Sequence, residues 1–202
     1  MRIAVKALPS QKEEWIIKGT PETIQLIWIE TDVPEADAYF DLTFEEFGAA
    51  FPNISNKPVF VNAVIKTSAE LPNNVSRINA WNGFLKREII EVVLRDDVAK
   101  NILDQLGWKY QIVPDVRGMI AAITISMIIN EAYFALGDEV STKVEIDTAM
   151  KLGTNYPFGP FEWSEKIGLH NVYRLLKKLS KEDDRYQPAP ALEQELKSVA
   201  WL

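Results

Sequence analysis

The feature that most restricts the fold is a change of pattern at Pro114-Asp115. Before it, short apolar runs recur at Arg2–Ala7, Thr23–Glu30, Asp37–Leu42, Pro58–Ile65, Val75–Ala80 and Glu88–Leu94. They are rich in β-branched and aromatic residues and bounded by Pro, Gly and Asn. Near-continuous apolar runs of this length suit strands buried on both faces. Helical spacing at Phe44–Phe51 and Asp96–Leu106 falls between some of them, and the second stretch ends at Gly107, a favoured residue just past a helix. Strands interleaved with helices predict a mostly parallel α/β sheet. The interval from Glu30 to Asp37 is too short for a full crossover helix, so some crossovers must be abbreviated.

After Pro114 only helical patterns occur. Met119–Leu136 (MIAAITISMIINEAYFAL) is apolar on all sides, which predicts a buried helix of a core or subunit interface. Asn130 and Glu131 interrupt it short of the roughly 20 residues a bilayer span needs. Thr142-Lys143-Val144-Glu145 matches a capping box and starts the next helix, expected to stop at Gly153. Pro160 suits a first helical turn, in a helix stopping near Gly168. Asn171–Ser180 places Val172, Leu175, Leu176 and Leu179 on one side. Lys177, Lys178 and Lys181 lie near its C-terminal end, where the helix dipole favours cations. An extended Gln187-Pro188-Ala189-Pro190 precedes a short helix to Trp201. The expected organisation is an α/β unit over residues 1–114 and an all-α unit over residues 115–202.

Composition removes several function classes. Hydrophobic residues make up 47% of the chain and charged residues 25%, enough apolar material for a core. The net charge of −7 argues against nucleic acid or an anionic membrane as a general partner, because phosphate surfaces need a basic face. Without cysteine there is no disulfide, thiolate nucleophile or thiolate metal site. With His170 as the single histidine, a multi-histidine metal centre is excluded and no metal is expected. His170 sits at a helix start and reads as a surface or capping residue. Met1–Val5 is followed by Lys6 and Pro9, too short an apolar run for a secretory signal, so a cytoplasmic location is expected.

The stretch Glu145 to Glu162 (EIDTAMKLGTNYPFGPFE), followed by Ile167-Gly168-Leu169, resembles the C-terminal helical domain of 3-hydroxyacyl-CoA dehydrogenases. Gly118-Met119-Ile120 and Ile129-Asn130-Glu131-Ala132 are similar to that domain's opening helix. Asp37–Glu45 (DAYFDLTFE) is similar to a strand and turn of the family's nucleotide domain. The resemblance is strong from about Asp115 to Leu179 and weaker from Asp37 to Asp115. It implies a truncated Rossmann-like nucleotide-binding domain followed by a helical domain of the 6-phosphogluconate-dehydrogenase-like kind, which commonly makes a homodimer. It also implies NAD as cofactor and an acyl-CoA substrate of fatty-acid metabolism.

The residues that carry the family's chemistry are changed. Glycines after the first strand let the backbone approach a diphosphate at a helix N-terminus. The matching stretch, Val5 to Lys12 (VKALPSQK), has none, and Pro9 lacks a donor N–H. Glu30 lies 23 residues past Ala7, where a ribose-binding acid belongs; it reads equally as a solvated strand-end carboxylate. The family's catalytic pair is a histidine, as general base, and a glutamate twelve residues later that orients it. Glu91 stands at the acid's place, Asn79 twelve residues before it stands at the histidine's, and Asn82 stands at the family's asparagine. An amide cannot accept a proton near neutral pH. Asn62 is retained from a substrate-binding turn without its hydroxyl neighbours, and Ala122 replaces a third family asparagine. The shortened Glu30–Asp37 interval removes helices that contact the CoA nucleotide in relatives.

These losses predict impaired or absent dehydrogenase activity. One alternative keeps redox chemistry, with Glu91 or water as base. A second is a non-catalytic protein holding an acyl-CoA or small polar ligand in a remnant pocket of Asn62, Asn79, Asn82 and Glu91 beside Trp81, a cluster that reads equally as a satisfied buried network. A third is a structural, dimeric interaction protein built on Met119–Leu136 and Tyr156–Trp163.

Overall fold

The computed structural model describes residues 1–199. The chain divides into two compact units, Met1–Ile120 and Ala121–Leu202.

The first unit is a seven-stranded sheet of β1 (Arg2–Lys6), β2 (Gln25–Trp28), β3 (Ala38–Asp41), β4 (Val59–Asn62), β5 (Val75–Ile78), β6 (Ile89–Val93) and β7 (Lys109–Ile112), in the order β2-β1-β3-β4-β5-β6-β7. The first five strands are mutually parallel. β6 runs antiparallel to β5, and β7 follows β6 in parallel. The six strands expected from the apolar runs are present, each trimmed at one or both ends, and β7 is added.

Strand alternation sorts the core into two layers. Ile3, Val5, Phe40, Phe60 and Ile78 face helices α1 (Pro9–Lys18) and α3 (Asp97–Gln105). Trp15 of α1 meets Trp28, Phe40 and Trp108 edge-on, and Phe40 stacks on Phe60 at 4.4 Å. Such aromatic pairs add to burial itself. On the opposite face Ala4, Tyr39, Val59, Val61 and Val75 pack with Phe51 and Leu71. That layer is thin because its crossovers are abbreviated. The β2–β3 connection has no helix, α2 is one turn (Phe44–Phe47), and β4–β5 carries only the 3-10 turn Ser68–Glu70.

Arg77 of β5 is fully buried. It donates to the carbonyls of Ala63, Val64 and Val116 and pairs with Asp115 at 2.5 Å. The chain just beyond β7 is thereby tied to the loop after β4, where Gly118 N–H also donates to Val64.

The second unit is helical: α4 (Ala121–Gly137), α5 (Lys143–Thr154), α6 (Pro160–Ile167), α7 (Leu169–Leu179) and α8 (Pro190–Val199). α4 packs against α6, α7 and α8. Its one buried amide has a purpose: Asn130 accepts from Ala189 N–H at 2.8 Å and donates to the Gln187 carbonyl at 2.9 Å. Thr142 caps α5 in the expected box with Glu145. α5 does not stop at Gly153: it continues to Thr154 and ends at Asn155 in the left-handed conformation, because asparagine tolerates that geometry nearly as well as glycine. The helix expected to reach Trp201 is described as far as Val199, and Trp201 lies outside the described residues. Among the described residues no helix is long and apolar enough to cross a membrane.

Candidate functional site

In an open parallel sheet, ligands bind outside the carboxyl ends of the strands where the strand order reverses. Here the reversal lies between β1 and β3, so the candidate site is built from residues that follow β1, β3, β4 and β5.

The β1–α1 connection is two residues, Ala7 and Leu8, and α1 starts at Pro9. Gln11, which is buried, turns its carboxamide back over this start. Its Oε1 accepts from Leu8 N–H at 2.9 Å, and its Nε2 donates to the Leu42 carbonyl at 2.6 Å. A longer contact of 3.5 Å reaches the Ala80 carbonyl. Asn62, at the end of β4, makes the parallel bridge. It accepts from Ala80 N–H at 3.0 Å and donates to Leu42 O at 3.3 Å. Gln11 and Asn62 thus stitch together the ends of β3, β4 and β5. At this helix N-terminus, where a diphosphate would need backbone donors, Leu8 N–H is taken by Gln11 and Pro9 has none to offer. The turn does not fit a dinucleotide.

Asn79 and Glu91 are brought together. Asn79 N–H donates to the Glu91 carbonyl at 3.0 Å across the β5–β6 pair, and Asn79 Nδ2 reaches Glu91 Oε2 at 3.3 Å. Asn79 Oδ1 lies 3.4 Å from Trp81 N–H. Asn79, Ala80 and Trp81 are each no more than 1% exposed, so a packed interior surrounds the amide. Asn82 is half-buried on the loop that follows. Asn62, Asn79 and Glu91 form a connected polar network through the Ala80 backbone, with Asn82 beside it. A carboxamide here orients by hydrogen bonds and supplies no base.

Glu30 is set apart. Its side chain is exposed two residues past β2, and its carbonyl accepts from Lys6 Nζ at 2.9 Å. His170 is exposed on the first turn of α7, in the helical unit. Asp41, at the end of β3, is buried and accepts from Thr43 N–H, Thr43 Oγ1 and Ala50 N–H. Burial raises its carboxyl above the usual carboxylate range, against the lowering effect of those donors and of Lys6. Among the described residues no group of three acidic or histidine side chains could hold a metal.

Sequence reasoning passed over Gln11 and Glu14. Glu14 is buried on α1 and accepts from Gly83 N–H at 2.5 Å and Lys86 N–H at 3.4 Å, which fixes the loop after the site. The signal for Gln11 was its position three residues after Leu8, where Gln or Glu reaches back over a helix start.

Sheet and bundle together define a Rossmann-like unit followed by a helical unit of the dehydrogenase kind. Residues 118–199 match the family model for the 3-hydroxyacyl-CoA dehydrogenase C-terminal domain. Over these residues the chain is similar to the 3-hydroxyacyl-CoA dehydrogenase family. It is 42% identical over 94 residues to a 3-hydroxyadipyl-CoA dehydrogenase of Escherichia coli, a match covering 46% of this chain and 20% of that protein. It is 32% identical over 137 residues to a 3-hydroxybutyryl-CoA dehydrogenase of Clostridioides difficile, covering 63% and 49%. The chain therefore spans less than half the length of these curated relatives. Among solved structures, (S)-3-hydroxybutyryl-CoA dehydrogenase from Ralstonia eutropha superposes with a TM-score of 0.72 at 15% identity, over 98% of this chain and 93% of that one, a likeness of fold. A 3-hydroxybutyryl-CoA dehydrogenase from Escherichia coli gives 0.61 at 30% identity, over 71% and 32%.

Proposed function

We propose that this chain is a member of the family whose hydride-transfer activity is lost or strongly impaired. The observation that carries the reading is the Gln11 carboxamide folded over the start of α1 and bonded to the ends of the neighbouring strands. A cofactor diphosphate would have to displace these bonds and approach a backbone screened by Ala7, Leu8 and Pro9. Asn79 supports the same reading, because the group hydrogen-bonded to Glu91 cannot take a substrate proton. Loss of a general base alone costs about 10²–10⁴-fold in rate. The test is calorimetric titration with NADH, with turnover of acetoacetyl-CoA measured in parallel. No binding up to about millimolar concentration, a free energy no better than about −4 kcal/mol, is expected. Saturable micromolar binding, or turnover that Asn79→Ala abolishes, would overturn the reading.

A second reading is supported by the surface of α5: an interaction protein that assembles as a homodimer through the helical unit. Val144 and Leu152 are 75% and 82% exposed there. A cytoplasmic location and binding of an acyl-CoA or small polar ligand at the Asn79–Glu91 network belong to the same proposal. The packed surroundings of Asn79 make the ligand the weakest part of it.

A further inference from the structure

We propose that the groove where α1 ends and β6 and β7 begin binds a small phosphate-bearing anion. This surface is separate from the Gln11–Asn62 stitch, and the proposal does not depend on the fate of the dehydrogenase activity. The groove encloses about 270 Å³ and is lined by Lys18, Lys86, Arg87 and Lys109 against a single carboxylate, Glu88. Four cations converge here in a chain whose net charge is −7. Ordinary drug-sized pockets run from about 300 to 1,000 Å³, so the space suits a phosphomonoester or diphosphate rather than a dinucleotide.

The groove is built rather than a chance run of surface lysines. Two residues one turn apart on α1 clamp the loop that supplies it. Glu14 takes the N–H groups of Gly83 and Lys86, and Lys18 Nζ donates to the carbonyls of Arg87 and Glu88 at 2.7 and 3.3 Å. On the floor, Trp108 is 5% exposed, donates its indole N–H to the Gly19 carbonyl, and carries the Lys18 ammonium over its ring at 5.4 Å. Arg87 lies over the Phe84 ring at 5.2 Å. The charges are unevenly matched. Glu88 is committed to Lys109 at 2.6 Å. Lys86 and Arg87 are exposed and form no ion pair among the described residues. Burial lowers the Lys18 ammonium below its ordinary range, with Glu88 opposing only in part, as expected of a cation short of counter-charge. An anion seated between Lys86, Arg87 and Lys18 would supply it through charge-assisted hydrogen bonds.

The experiment titrates the full chain with inorganic pyrophosphate and follows the Trp108 indole N–H and the Arg87 amide by NMR at constant ionic strength. Saturable shifts at both groups are expected, weakened at least about tenfold in K86E/R87E, a change of about 1.4 kcal/mol. Circular dichroism of that variant should match the parent, since the hydrogen bonds of Glu14 and Lys18 hold the loop and the replacement removes only the exposed Arg87 contact with the Phe84 ring. Absence of saturation up to about 10 mM, a free energy weaker than about −3 kcal/mol, would overturn the proposal. So would unchanged affinity in K86E/R87E. Co-sedimentation with phosphatidylglycerol vesicles that pyrophosphate does not compete would overturn the small-ligand assignment in favour of a membrane surface.

Discussion

Asp147 and Gly159 show how single residues hold the helical unit. Asp147, on α5, accepts from Phe161 N–H at 2.8 Å and Glu162 N–H at 3.2 Å, so it caps α6 from a neighbouring helix. An added Cβ at Gly159 would fall within the Asp147 carboxylate. The backbone there is ordinary extended chain, φ −73°, so glycine is needed for space rather than for conformational freedom. Gly159→Ala is therefore expected to destabilise by about 1–3 kcal/mol, the range for overpacking. Asp147→Ala should cost about 1 kcal/mol as a lost cap. In the double variant the clash with the carboxylate is gone but the Cβ at position 147, which the added methyl also meets, remains, so urea unfolding should show a loss only modestly smaller than the sum. Arg77 makes the corresponding point in the sheet. Arg77→Met leaves the carbonyls of Ala63, Val64 and Val116 without their donor, while Asp115, 39% exposed, can turn to water, so a loss of about 1–3 kcal/mol is expected from the unsatisfied buried groups. Burial pushes the Asp115 carboxyl up, but the Ser68 N–H and the Arg77 guanidinium outweigh it and hold it below the usual range. A carboxyl depressed in the folded state contributes stability that is whole above its unfolded value and is lost as pH falls through the folded one. Melting temperature should accordingly fall below the ordinary aspartate range, and Asp115→Asn should flatten that limb. The twelve-residue spacing of Asn79 and Glu91 was legible as a resemblance. Their contact requires β5 and β6 to run antiparallel, which spacing alone does not state.

At the level of elements, hydrophobic pattern failed where burial and polarity part company. α1 hides Gln11, Glu14 and Trp15 and exposes Ile16 and Ile17 at 67% each. Its buried face is two-thirds polar because it serves hydrogen bonds to loops, so an apolar-stripe search does not single it out. β7 (KYQI) leaves three of its four residues exposed and exists by its register with β6. The parallel strands β1, β3, β4 and β5 were legible because both faces are buried, which leaves no polar alternation to confuse with helix, while the edge strand β2 was legible from its β-branched and aromatic residues. The abbreviated crossovers were legible from chain length alone. Gln11→Ala tests whether α1 is held as described. It frees Leu8 N–H in a part-buried setting and leaves the Leu42 carbonyl to Asn62 Nδ2 alone, a loss of about 1–3 kcal/mol. The unfolding midpoint should drop accordingly. NADH affinity should not appear in that variant, because Ala7, Leu8 and Pro9 still deny the backbone approach.

For the whole molecule, the pattern change at Pro114 follows β7 directly, while residues 115–120 still pack with the sheet through Asp115, Val116 and Gly118. The apolar helix expected from Met119–Leu136 is the centre of the second unit, and its buried Asn130 serves an internal loop rather than a partner. Ala122, Ile125, Ile129, Ala132 and Tyr133 are buried in the chain, while Ile123, Met127, Ile128 and Leu136 are half-buried and Phe134 is exposed, so α4 keeps an apolar side of its own. The proposed homodimer rests on α5, where Val144 and Leu152 stand eight residues apart on one helical face, with Val140 just before the helix at 72% exposure. Burying one such side chain is worth about 1.5–3 kcal/mol, so four of them across a two-fold axis could support a stable pair, since in a homodimer each patch meets its own copy. Val144→Asp with Leu152→Asp places carboxylates on both sides of that contact and should give monomers by sedimentation, with an unchanged circular dichroism spectrum because neither residue is buried in the chain. If the parent already sediments as a 23.0 kDa monomer at low micromolar concentration, the homodimer reading is wrong and the exposed face of α5 is left for a different protein.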